Sequence, residues 1–208
     1  MPERIYKKGN QCTPICSDGT EYGSCSKEKP KFCYNGTLVN RASECGCPYE
    51  YTAQDEDCVS IYKIGPKNVT FSYVLNGKWN SFSYTVFNGL NQYLYSLPRS
   101  ITYSQYENPP TSKDFALRDL DNEKQKEFLD EFVNRIEKET DSEDDRVRIA
   151  ISLVQNIPYD TEGVKLGNLH EKYPYEVLYT NAGVCSEKSE LLAYILRKNG
   201  LWHGALNI

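Results

Sequence analysis

Cys185 is the residue of this chain whose type and position best fit covalent chemistry. It follows Asn181-Ala182-Gly183-Val184 and opens an apolar, helix-like run that extends to Asn199. A thiol in the first turn of a helix lies among backbone N–H groups without an intrahelical acceptor, and the positive end of the helix dipole favours its thiolate form. Cys185 is therefore a candidate nucleophile, with its own backbone N–H as a candidate oxyanion donor.

A cysteine nucleophile needs a histidine base that a third group orients, and the chain contains only His170 and His203. A helix from Cys185 to Asn199 rises by about 20 Å, so His203 should lie near its far end. His170 precedes the helix and could approach the thiol, but nothing in its Asn168-Leu169-His170-Glu171 setting marks an oriented base. We interpret His170 as an ordinary surface histidine.

Two other interpretations of Cys185 remain open from the residues alone. A buried free cysteine often serves as a small hydrophobic side chain, and eight cysteines in total would also allow a disulfide with an N-terminal partner. Helical spacing places Cys185 on one stripe with Ser189, Leu192 and Leu196. This stripe predicts that the sulfur faces a packed interior or a cleft.

The first 58 residues form a cysteine-rich module by composition. The cysteines lie among glycine, proline, asparagine and serine, with little that could form a core, and such segments need covalent or metal links. Disulfides are favoured over zinc, because the module has no C-x-x-C pair and no histidine precedes residue 170. The spacing leaves the pairing open, and an odd number of cysteines leaves one unpaired, for which Cys12 is the best candidate. The seven are Cys12, Cys16, Cys25, Cys33, Cys45, Cys47 and Cys58.

This cysteine usage predicts an extracellular or cell-surface protein. Two sequons, Asn35-Gly36-Thr37 and Asn68-Val69-Thr70, permit surface glycosylation and agree with export. Met1-Pro2-Glu3-Arg4 begins no signal peptide, and no apolar run approaches the roughly 18 residues of a membrane-spanning helix. We therefore expect an export signal or a membrane anchor in a segment outside this chain.

The charge balance argues against a nucleic-acid partner. The chain has 24 Lys and Arg against 29 Asp and Glu, and residues 119–148 alone hold 12 acidic and 6 basic side chains. Phosphate binding needs a basic surface. The acidic stretch is interpreted as a solvated helix face and loop.

Residues 59–208 are predicted to form a second domain of the α+β class that begins with an antiparallel hairpin. Apolar and polar residues alternate over 69–75 and again over 82–86, and Asn76-Gly77 between them is a strong hairpin turn signal. The pattern also permits a third strand at 93–97 or 101–106, before Asn108-Pro109-Pro110 breaks the chain.

Helical periodicity follows the predicted sheet. Apolar residues recur at three and four positions over 121–139, and Ser142 with Asp145 resembles a capping box for a second helix that stops before Pro158. A short helix is predicted near 175–179. The last helix begins at or just before Cys185, and Gly200 is suited to end it.

The segment Gly183-Val184-Cys185-Ser186-Glu187-Lys188-Ser189-Glu190-Leu191-Leu192 resembles the nucleophile helix of the transglutaminase-like superfamily, GVC-x-x-K-(S/A)-x-LL. Residues 150–160 (AISLVQNIPYD) and 173–178 (YPYEVL) are similar to the lead-in of archaeal members. The cysteine pattern that ends in Cys45-Gly46-Cys47-Pro48 is similar to modules of archaeal surface proteins. The resemblance covers residues 121–201 best.

This resemblance implies a papain-like Cys-His-Asp core with Cys185 as nucleophile. The implied activity is thiol-dependent acyl transfer on peptide or carboxamide bonds, as a peptidase or amidase with water as acceptor or as a crosslinking enzyme with an amine. It also implies that the histidine base and the orienting acid lie beyond Ile208, so we expect an incomplete, truncated domain over 59–208 and an inactive chain.

The implied partner is a protein or peptide substrate, and neither a cofactor nor a metal is expected. The alternative hypothesis is a non-catalytic cell-surface module for binding or structure, whose papain-like core is degenerate.

Overall fold

The computed structural model describes residues 5–8, 11–165 and 171–198, with backbone alone for 5–8 and 11–13. The chain divides into two compact units, Met1–Ile64 and Gly65–Ile208. Both contain antiparallel hairpins, and the second also contains the long helices. The molecule is therefore a mixed α+β protein.

The described part of the first unit contains three short hairpins. Their strands pair antiparallel in sequence order, and a short helix lies between the second and third hairpins. A single 3₁₀ turn, Ile61–Lys63, closes the unit. The elements are β1 (Ile5–Lys8), β2 (Gln11–Pro14), β3 (Lys31–Tyr34), β4 (Thr37–Asn40), α1 (Ala42–Cys45), β5 (Tyr51–Gln54) and β6 (Asp57–Ser60).

Disulfides hold this unit together, as the sequence predicts. The pairs are Cys16–Cys33, Cys25–Cys45 and Cys47–Cys58. Few apolar side chains are buried around them, chiefly Phe32, Ala42 and Tyr62, so crosslinks replace much of a hydrophobic core. Three disulfides indicate that the protein folds in an oxidising environment. The side chain of Cys12 lies outside the described residues.

Neither a metal cluster nor a membrane helix is found in the described part of the chain. There, no three histidine, cysteine, aspartate or glutamate side chains come close enough to hold an ion. The helices within the same ranges are also too short or too polar to cross a bilayer.

The second unit begins with the hairpin that Asn76-Gly77 predicts. Strand β7 (Pro66–Leu75) pairs with β8 (Lys78–Phe87) in an unbroken antiparallel register from Leu75–Lys78 to Pro66–Phe87. One face of the hairpin is buried and carries Phe71, Tyr73, Phe82, Tyr84 and Val86. This alternation confirms the period-two prediction.

The predicted third strand is wrong. Residues 93–97 fall mostly in helix α2 (Asn88–Ser96), and residues 101–106 form no regular element. Leu90 and Leu94, four positions apart, are both fully buried. Their helical spacing, rather than the alternation of tyrosines around them, matches the burial.

Helices form the rest of the unit. Those predicted for 121–139, 142–158, 175–179 and from Cys185 are present, whereas the helices at Asn88–Ser96, Ser112–Leu120 and Thr161–Lys165 were not predicted. The helices are α3 (Ser112–Leu120), α4 (Glu123–Glu137), α5 (Glu143–Asn156), α6 (Thr161–Lys165), α7 (Pro174–Thr180) and α8 (Cys185–Lys198).

An aromatic cluster joins the hairpin to α4. The ring of Phe132 lies 5.1 Å from Phe71, 5.8 Å from Phe82 and 5.2 Å from Tyr84, measured between centroids. Helix α5 packs along β7, and α8 packs against α5 and α7. Through these contacts the hairpin and α4 support the helices that position Cys185.

Candidate active site at the start of helix α8

Cys185 is the first residue of α8, and its thiol is free. Cys185 therefore forms no disulfide with an N-terminal cysteine. The prediction that the sulfur faces the interior or a cleft is wrong, because Cys185 is exposed. Helix α8 buries Glu187, Leu191 and Ile195 instead, and leaves Ser189 exposed beside the cysteine.

Gly183 fixes the backbone two residues before the thiol. Its N–H donates to the Pro158 carbonyl at 3.1 Å and its carbonyl accepts from the Asp160 N–H at 3.4 Å, in a short parallel bridge. A Cβ at this position would lie 3.2 Å from Cγ1 of Val177. Only glycine permits this close approach without a shift of its neighbours.

Glu187 holds the next part of the lead-in. Its Oε2 accepts a hydrogen bond from the Val184 N–H at 2.9 Å, and its Oε1 accepts one from the Lys172 N–H at 2.9 Å. A glutamate three residues after the helix N-cap commonly accepts from the N-cap N–H in this way. Glu187 is buried although it is charged, because both carboxylate oxygens are hydrogen-bonded.

Two lysines tie the same segment to its surroundings. Lys188 Nζ donates to the Ile157 carbonyl at 2.7 Å and to the Gln155 carbonyl at 3.3 Å, at the end of α5. Lys172 Nζ donates to Asp160 Oδ2 at 2.7 Å and to the Ala182 carbonyl at 3.0 Å. The hydrogen bond from Lys172 is the main reason that the pKa of Asp160 is lowered.

The first turn of α8, which begins at Cys185, has backbone N–H groups that can stabilise an oxyanion. The backbone N–H groups of the first turn have no carbonyl four residues back within the helix, and they point toward the N-terminal end. Ser189 Oγ donates to the Cys185 carbonyl at 2.8 Å, so that hydroxyl does not act on the sulfur. His170 and His203 lie outside the described residues, and the described ranges contain no histidine.

A cavity of about 460 Å³ lies beside the lead-in to α8. Val184 and Glu187 line it, and Cys185 is not among the lining residues. Its exposed wall is more apolar than polar, although amide, hydroxyl and charged side chains are among the lining residues. The lining residues are Asn91, Gln92, Tyr95, Asp160, Gly163, Val164, Lys172, Glu176, Thr180, Ala182, Val184 and Glu187.

Charged side chains of α3 and α8 form a buried ionic cluster. Arg118 Nε contacts Asp119 Oδ1 at 2.5 Å, while Asp119 Oδ2 and Glu190 Oε2 are buried without a hydrogen-bond partner among the described residues. Burial, reinforced by the Asp119 and Glu171 carboxylates, raises the pKa of Glu190 to about 8. Glu190 therefore carries its proton at neutral pH.

A second buried carboxylate lies at the start of α7. Glu176 Oε2 accepts from the Arg99 guanidinium at 2.7 Å and from the Tyr173 N–H at 2.9 Å. Burial raises the pKa of Glu176, and the hydrogen bond from Tyr173 and the charge of Arg99 oppose this rise. The Arg99 guanidinium also lies 4.3 Å from the centroid of the Tyr173 ring.

The sequence predicted a helix start at Cys185 but not the contacts of Glu187 and Lys172 that hold the lead-in. The three-residue spacing of Val184 and Glu187 is a capping signal that could have identified Glu187. Lys172 and Asp160 carry no such signal, because their contact depends on the path of the chain before α7.

Comparison with protein-family models, with curated proteins and with solved structures finds no match. The transglutaminase-like resemblance therefore depends on the residues that carry it.

Proposed function

We propose that Cys185 is the nucleophile of a thiol-dependent acyl transfer on peptide or carboxamide bonds in the full-length protein. The observation that carries this proposal is a free, exposed thiol at the first position of a 14-residue helix whose lead-in is held by Gly183, Glu187 and Lys188. A surface cysteine without a function would not need these contacts. Peptidase or amidase activity is favoured over crosslinking.

The reaction would proceed through a thioester. The Cys185 sulfur attacks the carbonyl carbon, the carbon–nitrogen bond breaks, and the amine or ammonia leaves with a proton from the base. Water or a second amine then attacks the thioester and restores the thiol. Backbone N–H groups at the start of α8 would stabilise the oxyanion. The exposed thiol suits a large protein or peptide substrate.

The general base of the proposed reaction is expected among residues outside the described ranges. The resemblance puts a histidine and an orienting acid beyond Ile208. We therefore expect residues 1–208 alone to lack turnover. The oxidising environment indicated by the disulfides agrees with an extracellular location, and we extend this to attachment at the cell surface through a segment outside this chain.

Ammonia release from a glutamine peptide and new N-termini from a protein substrate would test the proposal. A longer chain that contains the histidine and the acid should turn over, Cys185→Ala should abolish turnover, and Cys12→Ser should preserve it. Turnover that survives Cys185→Ala would refute the nucleophile. Turnover by residues 1–208 that depends on Cys185 would refute a base beyond Ile208.

One observation favours the alternative of a non-catalytic surface module with a degenerate core. The thiol is open to solvent, whereas the papain-like arrangement would put it in a cleft. Under this alternative, a stop codon directly after Ile208 and an unreactive thiol are expected. A histidine followed by Asp, Glu or Asn on strand-like sequence in the reading frame after Ile208 would argue for the enzyme.

A further inference from the structure

The solvent-facing side of the β7–β8 hairpin carries no charged residue over its central eight positions. A quarter of the residues of the chain are charged, so this uncharged stretch is unusual for an exposed surface. Trp79 is 70% exposed there, next to a series of hydroxyl and amide side chains. We call this surface the outer face; it consists of Asn68, Thr70, Ser72, Val74, Trp79, Ser81, Ser83 and Thr85.

The two edges of the hairpin have different surroundings. Helix α5 packs along β7, where the Val74 N–H donates to Ser152 Oγ at 2.8 Å. Strand β8 pairs with β7 alone among the strands that the structure describes. Because alternate residues of an antiparallel strand direct their N–H and C=O groups away from the partner, β8 presents a row of open backbone groups. The row ends at Phe87, whose N–H donates to Tyr175 Oη of α7 at 2.7 Å.

Before its Phe87 end, strand β8 lacks the usual protections of an edge strand. It runs for ten residues without a proline or a bulge, and Lys78 at its start is its only charged residue. Soluble proteins normally shorten, twist, charge or cover such an edge, because it can pair with another chain. We therefore expect that something other than charged side chains or the hairpin itself covers the open edge of β8.

The sequon Asn68-Val69-Thr70 lies on the outer face. Asn68 and Thr70 are both exposed and, two residues apart on one strand, they point to the same side. Asn68 Oδ1 accepts a hydrogen bond from Thr85 Oγ1 at 2.8 Å, while its Nδ2 donates to none of the described residues. Nδ2 is the atom that N-glycosylation modifies, and it is presented in a fixed orientation.

We propose that Asn68 is an N-glycosylation site whose glycan lies along the outer face and covers the open edge of β8. A lipid-linked oligosaccharide phosphate is the donor. The bond between the sugar C1 and the phosphate oxygen breaks, a bond from C1 to Asn68 Nδ2 forms, and the amide proton leaves with the lipid phosphate. The three disulfides show passage through an oxidising compartment, where such donors are used.

The chemistry of the outer face fits a covering sugar chain. The Ser and Thr hydroxyls can exchange hydrogen bonds with sugar hydroxyls, and the indole of Trp79 offers an apolar ring with one polar group. Thr85, which holds Asn68, lies six positions from Trp79, a span of about 20 Å along the strand. A branched oligosaccharide can reach over that distance. This proposal does not depend on Cys185.

Peptide mapping of the secreted protein tests the site. Residues 1–208 are exported from cells with N-glycosylation machinery, as wild type and as the variants Asn68→Gln, Thr70→Ala and Thr70→Ser. The Asn68 peptide should carry a sugar mass in the wild type and in Thr70→Ser, which keeps the sequon, and in neither other variant. A wild-type chain with bare Asn68 overturns the site, whatever the occupancy of Asn35.

Sedimentation velocity tests the cover. Folded Asn68→Gln and Thr70→Ala chains should self-associate at concentrations where the glycosylated wild type is monomeric. Adding Ser83→Lys, which charges the edge of β8, should return them to monomers. Bare chains that stay monomeric to the same concentration overturn the covering role. Specific retention of a wild-type chain with bare Asn68 on an immobilised polysaccharide would assign the face to a bound glycan and also contradict the proposal.

Discussion

Glu190→Gln should remove a pH dependence from the stability of the second unit. The folded protein holds the Glu190 proton up to a pKa of about 8, whereas an unfolded glutamate loses it near its ordinary pKa of 4.5. Between these values the folded state binds more protons, so the free energy of unfolding falls as pH rises. The contribution is complete below pH 4.5 and is lost above pH 8.

The magnitude follows from the size of that interval. A full displacement of the pKa from 4.5 to about 8 corresponds to roughly 5 kcal/mol at 1.4 kcal/mol per pH unit. Glu190 is only half-buried, and water screens its interaction with Asp119, Glu171 and Glu187. We therefore expect a loss of about 2 kcal/mol in the wild type between pH 5 and pH 9. The variant should lack this loss.

Urea unfolding monitored by helical circular dichroism would measure the effect, with free thiols alkylated so that disulfides do not exchange at high pH. Glu123→Gln is the matched control, because it neutralises an exposed carboxylate on α4 and should keep the wild-type slope. Parallel curves of unfolding free energy against pH for the wild type and Glu190→Gln would refute the reasoning.

Three further substitutions probe the support of the site. Lys188→Met keeps the aliphatic stem but loses the hydrogen bonds to the Ile157 and Gln155 carbonyls. The free energy of unfolding in urea should fall by about 2 kcal/mol. An unchanged unfolding midpoint would show that these hydrogen bonds do not stabilise the fold. Gly183→Ala should cost about 1–3 kcal/mol because its Cβ meets Val177, and thermal melting at or above the wild-type temperature would contradict that. Phe132→Ala should cost about 3–5 kcal/mol in the same assay, and a loss below 1 kcal/mol would show that the aromatic cluster is not central.

Much of the second unit could be predicted because its signals are local. Asn76-Gly77 fixes a hairpin turn, and Ser142 accepts from the Asp145 N–H at the start of α5 as the capping pattern predicts. Helix α3 was missed although Thr111 and Asp114 form a capping box at its start. Helix α2 was missed because its tyrosines alternate, and only tertiary burial of Leu90 and Leu94 decides between the two periods.

The position of Cys185 was predictable and its environment was not. A turn followed by an apolar run places the thiol at a helix start, but the buried side of α8 depends on α5 and α7. Glu187 would ordinarily be assigned to the surface, yet it is buried because it accepts hydrogen bonds from Val184 and Lys172. Disulfide pairing could not be read from the spacing, since several pairings are compatible with the same cysteines.

Acylation of Cys185 by p-nitrophenyl acetate tests the central claim most directly. The sulfur displaces p-nitrophenolate and leaves an acetyl thioester, which peptide mapping locates. We predict a burst of about one equivalent, faster than the reaction of glutathione at the same pH, preserved in Cys12→Ser and absent in Cys185→Ala. A folded chain whose Cys185 peptide stays unacetylated, or reacts no faster than glutathione, would contradict the assignment of Cys185 as a nucleophile.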